Sequence, residues 1–466
     1  MATLAVGTFM APLDSSVVNI VLPQISRYFQ SDLASVEWVI MSYLLVISSL
    51  LLIYGRLGDM YGHKEVYVTG FIIFTLASVL CGVAQSLPAL IAFRVVQALG
   101  AGMMMAIGPA IIAATFPPGE RGRALGLIGS TVAAALAFGP TIGGILSDYL
   151  GWRSVFYINL PIGIAAITAS VIVLQRSVAT KQQNFDFAGA GAAFLGLFFL
   201  LFALSRGQSW GWQSAGIMAL LMGALVLLAA FIFVEKRVKE PMMDLTLFRN
   251  RLFTMANLTS LLNFMAQFSV VFLMPFYLER VRQLDPSTAG MLLSAGPLVI
   301  LFVAPVSGYL SDRMGSRLLS SLGMGIIAAA LFSLSGLGVE TPYPYIALSL
   351  GAMGLGVGLF QAPNNNAVIS SVPRHRLGIA SGMMASMRNI GMVLGVAISG
   401  AVFQTMLPIR AASLQSQNMS GTALESLAFV DALRYSYWVA IILAVLGIFT
   451  SLVRGGSFTK AEDMRE

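Results

Sequence analysis

Asp14 is the only carboxylate well inside a long apolar run of this chain, and the other 19 of its 20 acidic residues fall in connections, tails and run ends. An ionised carboxylate at the centre of a membrane helix costs about 2.5–3.5 kcal/mol on insertion scales, so something must hydrate, pair or protonate it. Arg94, itself inside an apolar run, is the natural partner. With the first run ending near Pro23 and the fourth beginning near Leu87, Asp14 lies about 9 residues (roughly 13 Å) and Arg94 about 7 residues (roughly 10 Å) below the same surface. Burial favours the neutral acid and a nearby guanidinium favours the carboxylate, so a proton could come and go as access to the pair changes. The bland alternative is a static ion pair that bridges two helices.

Other side chains are too polar to face hydrocarbon and should line an interior. They are Asn263, Gln267, Gln361, Asn364, Asn365, Asn366, Arg388 and Asn389. Phe264, Phe268 and Phe272 recur at i, i+4 and i+8, a stripe that can serve packing or binding. Met103, Met104 and Met105 offer either an adaptable apolar wall or simple gap-filling. A lone Cys81 excludes an intrachain disulfide and a thiolate cluster, and two histidines, His63 and His375, make a zinc site a poor expectation. No metal and no cofactor is expected.

These residues sit in a chain that is 57% hydrophobic and 10% charged, with a mean hydropathy of +0.84. A soluble surface needs polar groups to cover it, so a soluble enzyme, a nucleic-acid-binding domain and a disordered protein are excluded. A crossing helix needs about 20 apolar residues. Runs of that kind are read at 2–24, 35–57, 65–85, 87–116, 120–147, 153–175, 186–206, 212–235, 250–279, 286–311, 316–337, 342–371, 376–407 and 433–454. The predicted fold is all-α and integral to the membrane, with 14 transmembrane helices. The first run is too long, and too soon followed by another, for a cleaved signal peptide; its start almost at Met1 leads us to expect a short cytosolic tail ahead of it. With both termini cytosolic, the inner connections and tail hold 18 of the 27 basic residues and the outer ones 7. This is the positive-inside pattern, and it accounts for most of the net charge of +7 without any nucleic acid or other anionic partner.

GRLGDMYGHK (55–64) and GYLSDRMGSR (308–317) share the form G-x-L-[GS]-D-x-x-G-x-[KR], 253 residues apart, each after the second helix of a six-helix set. The chain therefore parses as a six-helix half (1–176), a two-helix insert with its flanking linkers (177–247), and a second six-helix half with a short tail (248–466). Two related halves around a midplane site is a plan used by secondary transporters. No G-x-x-x-x-G-K-[ST] loop is present, which excludes a transport ATPase.

Several motifs in order carry a family resemblance: LDSSVVNIVLP (13–23), EWVIMSYLL (37–45), the 55–64 loop, RVVQALGAGMMMAIGP (94–109), GSTVAAALAFGPTIGG (129–144) and WRSVFYINLPIG (152–163). Over nearly its whole length the chain resembles the major facilitator superfamily and, within it, the 14-helix drug:proton antiporter branch. The resemblance implies a non-enzymatic, proton-coupled exporter of lipophilic small molecules in the inner (plasma) membrane. Its partners would be protons, the cargo and the lipid bilayer, with an accessory envelope protein left open. It implies that Asp14 and Arg94 couple protons. Gly55, Arg56, Asp59, Gly62, Lys64, Asp312 and Arg313 would form inner gates, with Asp59 meeting the start of helix 13 near Leu377 or Gly378. Gly139, Pro140, Gly143 and Gly144 would act as a hinge and seal. The substrate cavity would draw on Asn19, Gln97, Met104, Asn263, Phe264, Gln267, Phe268, Gln361, Asn364, Asn365, Arg388 and Asn389. A dedicated exporter or importer of one metabolite, lipid or siderophore is the alternative, and a non-transporting membrane sensor the third reading.

Overall fold

The computed structural model describes residues 2–115, 118–174, 187–237, 245–372 and 377–453. Among them lie fourteen long helices. The first half holds α1 (Ala2–Tyr28), α2 (Trp38–Tyr61), α3 (His63–Val83), α4 (Leu87–Thr115), α5 (Pro118–Leu150) and α6 (Asn159–Val173). Next come α7 (Phe187–Trp210) and α8 (Ala215–Glu235). The second half holds α9 (Arg251–Phe276), α10 (Pro286–Met314), α11 (Ser316–Ser335), α12 (Tyr343–Ser370), α13 (Leu377–Gln415) and α14 (Gly421–Leu452). Twelve of the fourteen include described stretches long and apolar enough to cross a bilayer, from Val6–Tyr28 to Gly421–Leu452; α5 and α7 complete the set.

Local chemistry fixes where helices start. Ser214 accepts from the Ile217 amide at the head of α8, and Asn250 accepts from the Leu252 and Phe253 amides at the head of α9. The repeated motif does one job twice. Gly62 (φ 102°) and Gly315 (φ 82°), the last glycines of the two copies, each take a backbone conformation closed to most side chains and break one helix from the next.

The halves repeat each other in packing. In the first, α3 packs on α4 and α1 on α5; in the second, α11 packs on α12 and α9 on α13. The halves meet at two equivalent seams, α5 on α10 and α2 on α13. The insert breaks the symmetry, because α7 lies over the α2–α13 seam while α8 packs on α7. Leu225 and Val226 of α8 are 63% and 60% exposed, as an apolar lipid-facing helix requires.

Two boundaries differ from expectation. The segment read as a 25-residue connection before the last helix is mostly helical, with α13 running to Gln415 and α14 starting at Gly421. Its residues are polar enough to leave the bilayer but helical enough to extend both rods. Likewise α1 continues to Tyr28, past Pro23. Asp14 is therefore further from its helix end than Arg94 is from its own, and α1 must project beyond the start of α4 for them to meet.

Candidate functional site

Asp14 sits in a closed polar cluster inside the first half. It is 1% exposed, as is Arg94. The Arg94 Nη1 donates to Asp14 Oδ2 at 2.5 Å. Oδ1 of the same carboxylate accepts from Gln97 Nε2 at 2.9 Å and from Asn159 Nδ2 at 2.7 Å. Helix spacing explains the arrangement: Arg94 and Gln97 stand one turn apart on α4 and face α1 together, while Asn159 opens α6. Three donors on one carboxylate offset the loss of its hydration in a dry interior.

Arg94 does not depend on Asp14 alone. Its Nε donates to the Val39 carbonyl at 3.1 Å, and its Nη1 also reaches Gln97 Oε1 at 2.6 Å. The guanidinium lies 4.0 Å over the Tyr43 ring. Gln97 Nε2 donates in turn to Ser78 Oγ at 2.7 Å. The cation thus keeps neutral acceptors and an aromatic face whether Asp14 is charged or not. That property suits a group that takes up and releases a proton.

The halves touch at the end of the bundle where α1 finishes and α2 starts, called here the Arg27 end. Near it, Gly139 and Gly143 of α5 lie against Ser16, Val17 and Ile20 of α1, while Gly144 lies against the Pro286 and Ser287 backbone of α10. Gly290 of α10 returns the contact onto the Pro140 carbonyl. Pro140 lacks an N–H, which removes the helical donor from the Leu136 carbonyl; Ser16 Oγ of α1 reaches that carbonyl at 3.5 Å. Thr141 and Ser294 share a hydroxyl bond of 2.7 Å across the same seam. Towards the Arg27 end, Arg27 pairs with Glu279, Arg280 donates to Ser26 Oγ, and Ser287 donates to Asp148. This end is closed.

The remaining expected residues are scattered more widely. Asn263 and Asn389 are buried, and Asn263 Nδ2 and Oδ1, Gln267 Oε1, Arg388 Nε and Asn389 Nδ2 find no hydrogen-bond partner. Phe264 packs on Gly391 of α13, two residues beyond Asn389, with Phe268 half-buried one turn on. Phe272 pairs edge-on with Phe276, so that part of the stripe serves packing. Asn364 is buried on α12, while Gln361 and Asn365 are half-buried. Asn19 is 8% exposed with Oδ1 unpartnered.

Two members of the expected cavity lie elsewhere. Gln97 belongs to the Asp14 cluster, where its amide is more use as donor and acceptor to ions. Met104 packs beside Gly70 at the α3–α4 contact, where a glycine leaves room for a long apolar side chain. Of the expected gate, Gly62 makes the α2–α3 break, Lys64 donates to the Val171 and Leu174 carbonyls at the end of α6, and Arg313 lies 4.6 Å over Tyr309. Gly55, Arg56, Asp59 and Asp312 lie outside the residues whose side chains are described, as do Leu377 and Gly378.

Asp14 is not the only buried acid. Glu37, 0% exposed, opens α2, and Glu279, 2% exposed, lies just past α9. Both stand at run ends, where a charge is ordinarily wet, so polarity along the chain did not mark them. Asn159, Ser78 and Tyr43 were also unassigned. Asn159 is a polar amide inside the apolar run at 153–175 and could have been flagged on that ground; Ser78 and Tyr43 carry no such signal.

A sequence model of the Major Facilitator Superfamily matches residues 4–204 and 187–396. The chain belongs to that superfamily. Among similar superfamily transporters, the riboflavin transporter RibZ of Clostridioides difficile (strain 630) is 32% identical over 452 residues, covering 96% of this chain and 95% of RibZ. The multidrug resistance protein Stp of Mycobacterium tuberculosis (strain H37Rv) is 33% identical over 402 residues, 86% of this chain and 75% of Stp. The crystal structure of a bacterial homolog to the human lysosomal transporter Spinster, inward-facing and unoccupied, shares the fold. Its TM-score is 0.71 at 17% identity, covering 97% of this chain and 95% of that one.

Proposed function

We propose that this superfamily member is a proton-coupled antiporter that exports lipophilic small molecules by alternating access. The observation that carries the proposal is the Asp14 cluster: a buried carboxylate held by Arg94, Gln97 and Asn159, with a cation that has other partners once the acid is neutralised. In this reading the membrane is the inner (plasma) membrane, both termini are cytosolic, and the Arg27 end is external; the 18-to-7 distribution of basic residues supports the orientation.

The cycle follows from charge accounting. With the external end closed, Asp14 loses its proton to the cytosolic side and stands as the partner of Arg94. Cargo binds between the halves, drawing on Asn19, Asn263, Phe264, Gln267, Phe268, Gln361, Asn364, Asn365, Arg388 and Asn389. Opening of the α5–α10 and α2–α13 seams delivers cargo outward and admits a proton, after which the neutral acid favours the return. Coupling exists only because proton and cargo bind the two states with different affinity. Gly55, Arg56, Asp59, Asp312 and Arg313 are the proposed cytosolic gate, with the three units bounded at 1–176, 177–247 and 248–466.

A dedicated carrier of one polar metabolite is the second reading. It is favoured by the unpartnered polar set on α9 and α13 and by likeness to a riboflavin transporter along nearly the whole of both chains. The deciding experiment uses proteoliposomes with an imposed pH gradient, loaded in turn with riboflavin and with unrelated lipophilic dyes. Efflux of several unrelated dyes supports the first reading, and riboflavin alone the second. Asp14→Asn abolishes proton-driven transport of either cargo while the protein still inserts; intact proton dependence in that variant overturns the role given to Asp14.

A further inference from the structure

Glu37 presents a buried acid that the cycle above does not use. It is 0% exposed and neither of its carboxylate oxygens has a hydrogen-bond partner. The hydroxyl that acts on it, Ser205 of α7, gives its proton elsewhere: it donates to the Ala34 carbonyl at 3.0 Å and accepts from Trp38 Nε1 at 3.1 Å. The carboxylate lies where three bodies meet. It belongs to α2 of the first half, it lies against Gly400 of α13 in the second, and α7 of the insert closes over it. A Cβ placed on Gly400 would overlap Glu37 Oε2, with the Phe272 ring of α9 at 3.5 Å. The insert grips this corner with Arg206 donating to Ser35 Oγ and with Phe198 and Phe202 about the Trp38 indole.

We propose that Glu37 is a second proton-binding site, linked to closure of the α2–α13 seam. In the closed seam an ionised carboxylate without donors would bear its full desolvation cost, so the carboxyl carries its proton. Opening at the Arg27 end must part α2 from α13, which wets Glu37; its O–H bond then breaks, the proton passes to water, and the carboxylate is hydrated. Closure takes the proton back. The charged groups that act on Glu37 are Arg206 on α7 and Asp32 ahead of α2. From α13 it meets Gly400, with the uncharged Gln404 one turn along, and from α9 the Phe272 ring. The proposal rests on alternating access but not on Asp14 being the coupling acid.

Its test therefore reads conformation rather than transport. Spin labels at Gln30→Cys and Ala412→Cys, in a Cys81→Ala background in lipid nanodiscs, report the separation of the two halves at the Arg27 end between pH 5 and 9. With Asp14→Asn present to silence the first acid, the open-to-closed ratio rises with pH, approaching tenfold per unit where one group titrates. Glu37→Gln on the same background flattens the response at the closed distance, and Glu37→Asp keeps a response with a displaced midpoint. Gly400→Ala, which drives a methyl into the Glu37 carboxyl, favours the open distance at every pH. An unaltered pH response in Glu37→Gln overturns the proposal, as does a response lost entirely with Asp14→Asn alone. Failure of the protein with native Asp14 to transport either dye or riboflavin, with the Glu37 response intact, would instead count against the transport reading.

Discussion

Gly290→Ala is the sharpest perturbation of the closed end. A Cβ at Gly290 would overlap the Pro140 carbonyl oxygen, with the Pro140 carbon at 2.9 Å and Gly144 Cα at 3.4 Å. All three are backbone, so no side chain can swing aside. Relief requires α5 and α10 to separate along a seam whose glycines exist to let them touch. Overpacking of this kind costs roughly 1–3 kcal/mol. The cost falls on the state closed at the Arg27 end and vanishes once the seam opens, so it shifts the population between states by about 5- to 150-fold at RT of about 0.6 kcal/mol. The assay is the same spin-label distance across the Arg27 end, with Gly191→Ala and Gly325→Ala as controls, since a Cβ at either meets nothing within 4 Å. Gly290→Ala raises the open fraction, whereas the controls leave it unchanged. A closed fraction equal to wild type in Gly290→Ala would show that the seam is loose and that the glycine contact does not hold this end shut.

Two further perturbations separate closure from simple stability. Arg27→Ala strips the partner from the buried Glu279 carboxylate; because Arg27 is half exposed the effect is about 1 kcal/mol, roughly a fivefold gain in the open state, read by the same labels and diminished in 1 M salt for the wild type. Lys64→Met removes the cation that caps the last carbonyls of α6, lowering the melting temperature by about 1–2 °C while transport persists; loss of transport without loss of stability would return Lys64 to the gate.

The helix count was legible because a bilayer sets one length for every crossing run, and among the described residues fourteen long helices answer the 14 runs, twelve of them long and apolar enough to cross. The symmetry was legible for a different reason: Gly62 and Gly315 answer the same backbone demand at the same place in each half, so the constraint writes the same letters twice. The Asp14–Arg94 pair could be read because two charges in hydrocarbon have few ways to be satisfied. The depth of the pair was not legible, because α1 runs on past Pro23 to Tyr28. What could not be read was three-dimensional neighbourhood at helix ends. Nothing in the spacing of Glu37 says that α7 will cover it, and nothing in the sequence near Gln97 separates a ligand to Asp14 from a ligand to cargo.

The two seams are equivalent by the internal repeat, yet they are closed by different physics. The α5–α10 seam is backbone against backbone, with Gly144 and Gly290 reaching Pro286 and Pro140. Such a contact is short-ranged and has no titratable part. The α2–α13 seam sets Gly400 against the Glu37 side chain and has α7 laid over it. A long acid side chain holds helices further apart than glycine does, so this seam needs a cover to keep lipid and water from its polar atoms, and α7 supplies one through Ser205, Arg206, Phe198 and Phe202. The insert thus covers the seam whose acid is buried, whereas the acid at the other seam, Asp148, lies exposed and accepts from Ser287. Replacing Glu37 with an apolar residue of similar size should therefore lessen the dependence of the closed end on α7, so that Arg206→Ala, which strips from the native chain a charge that acts on Glu37, shifts the open-to-closed ratio less beside Glu37→Met.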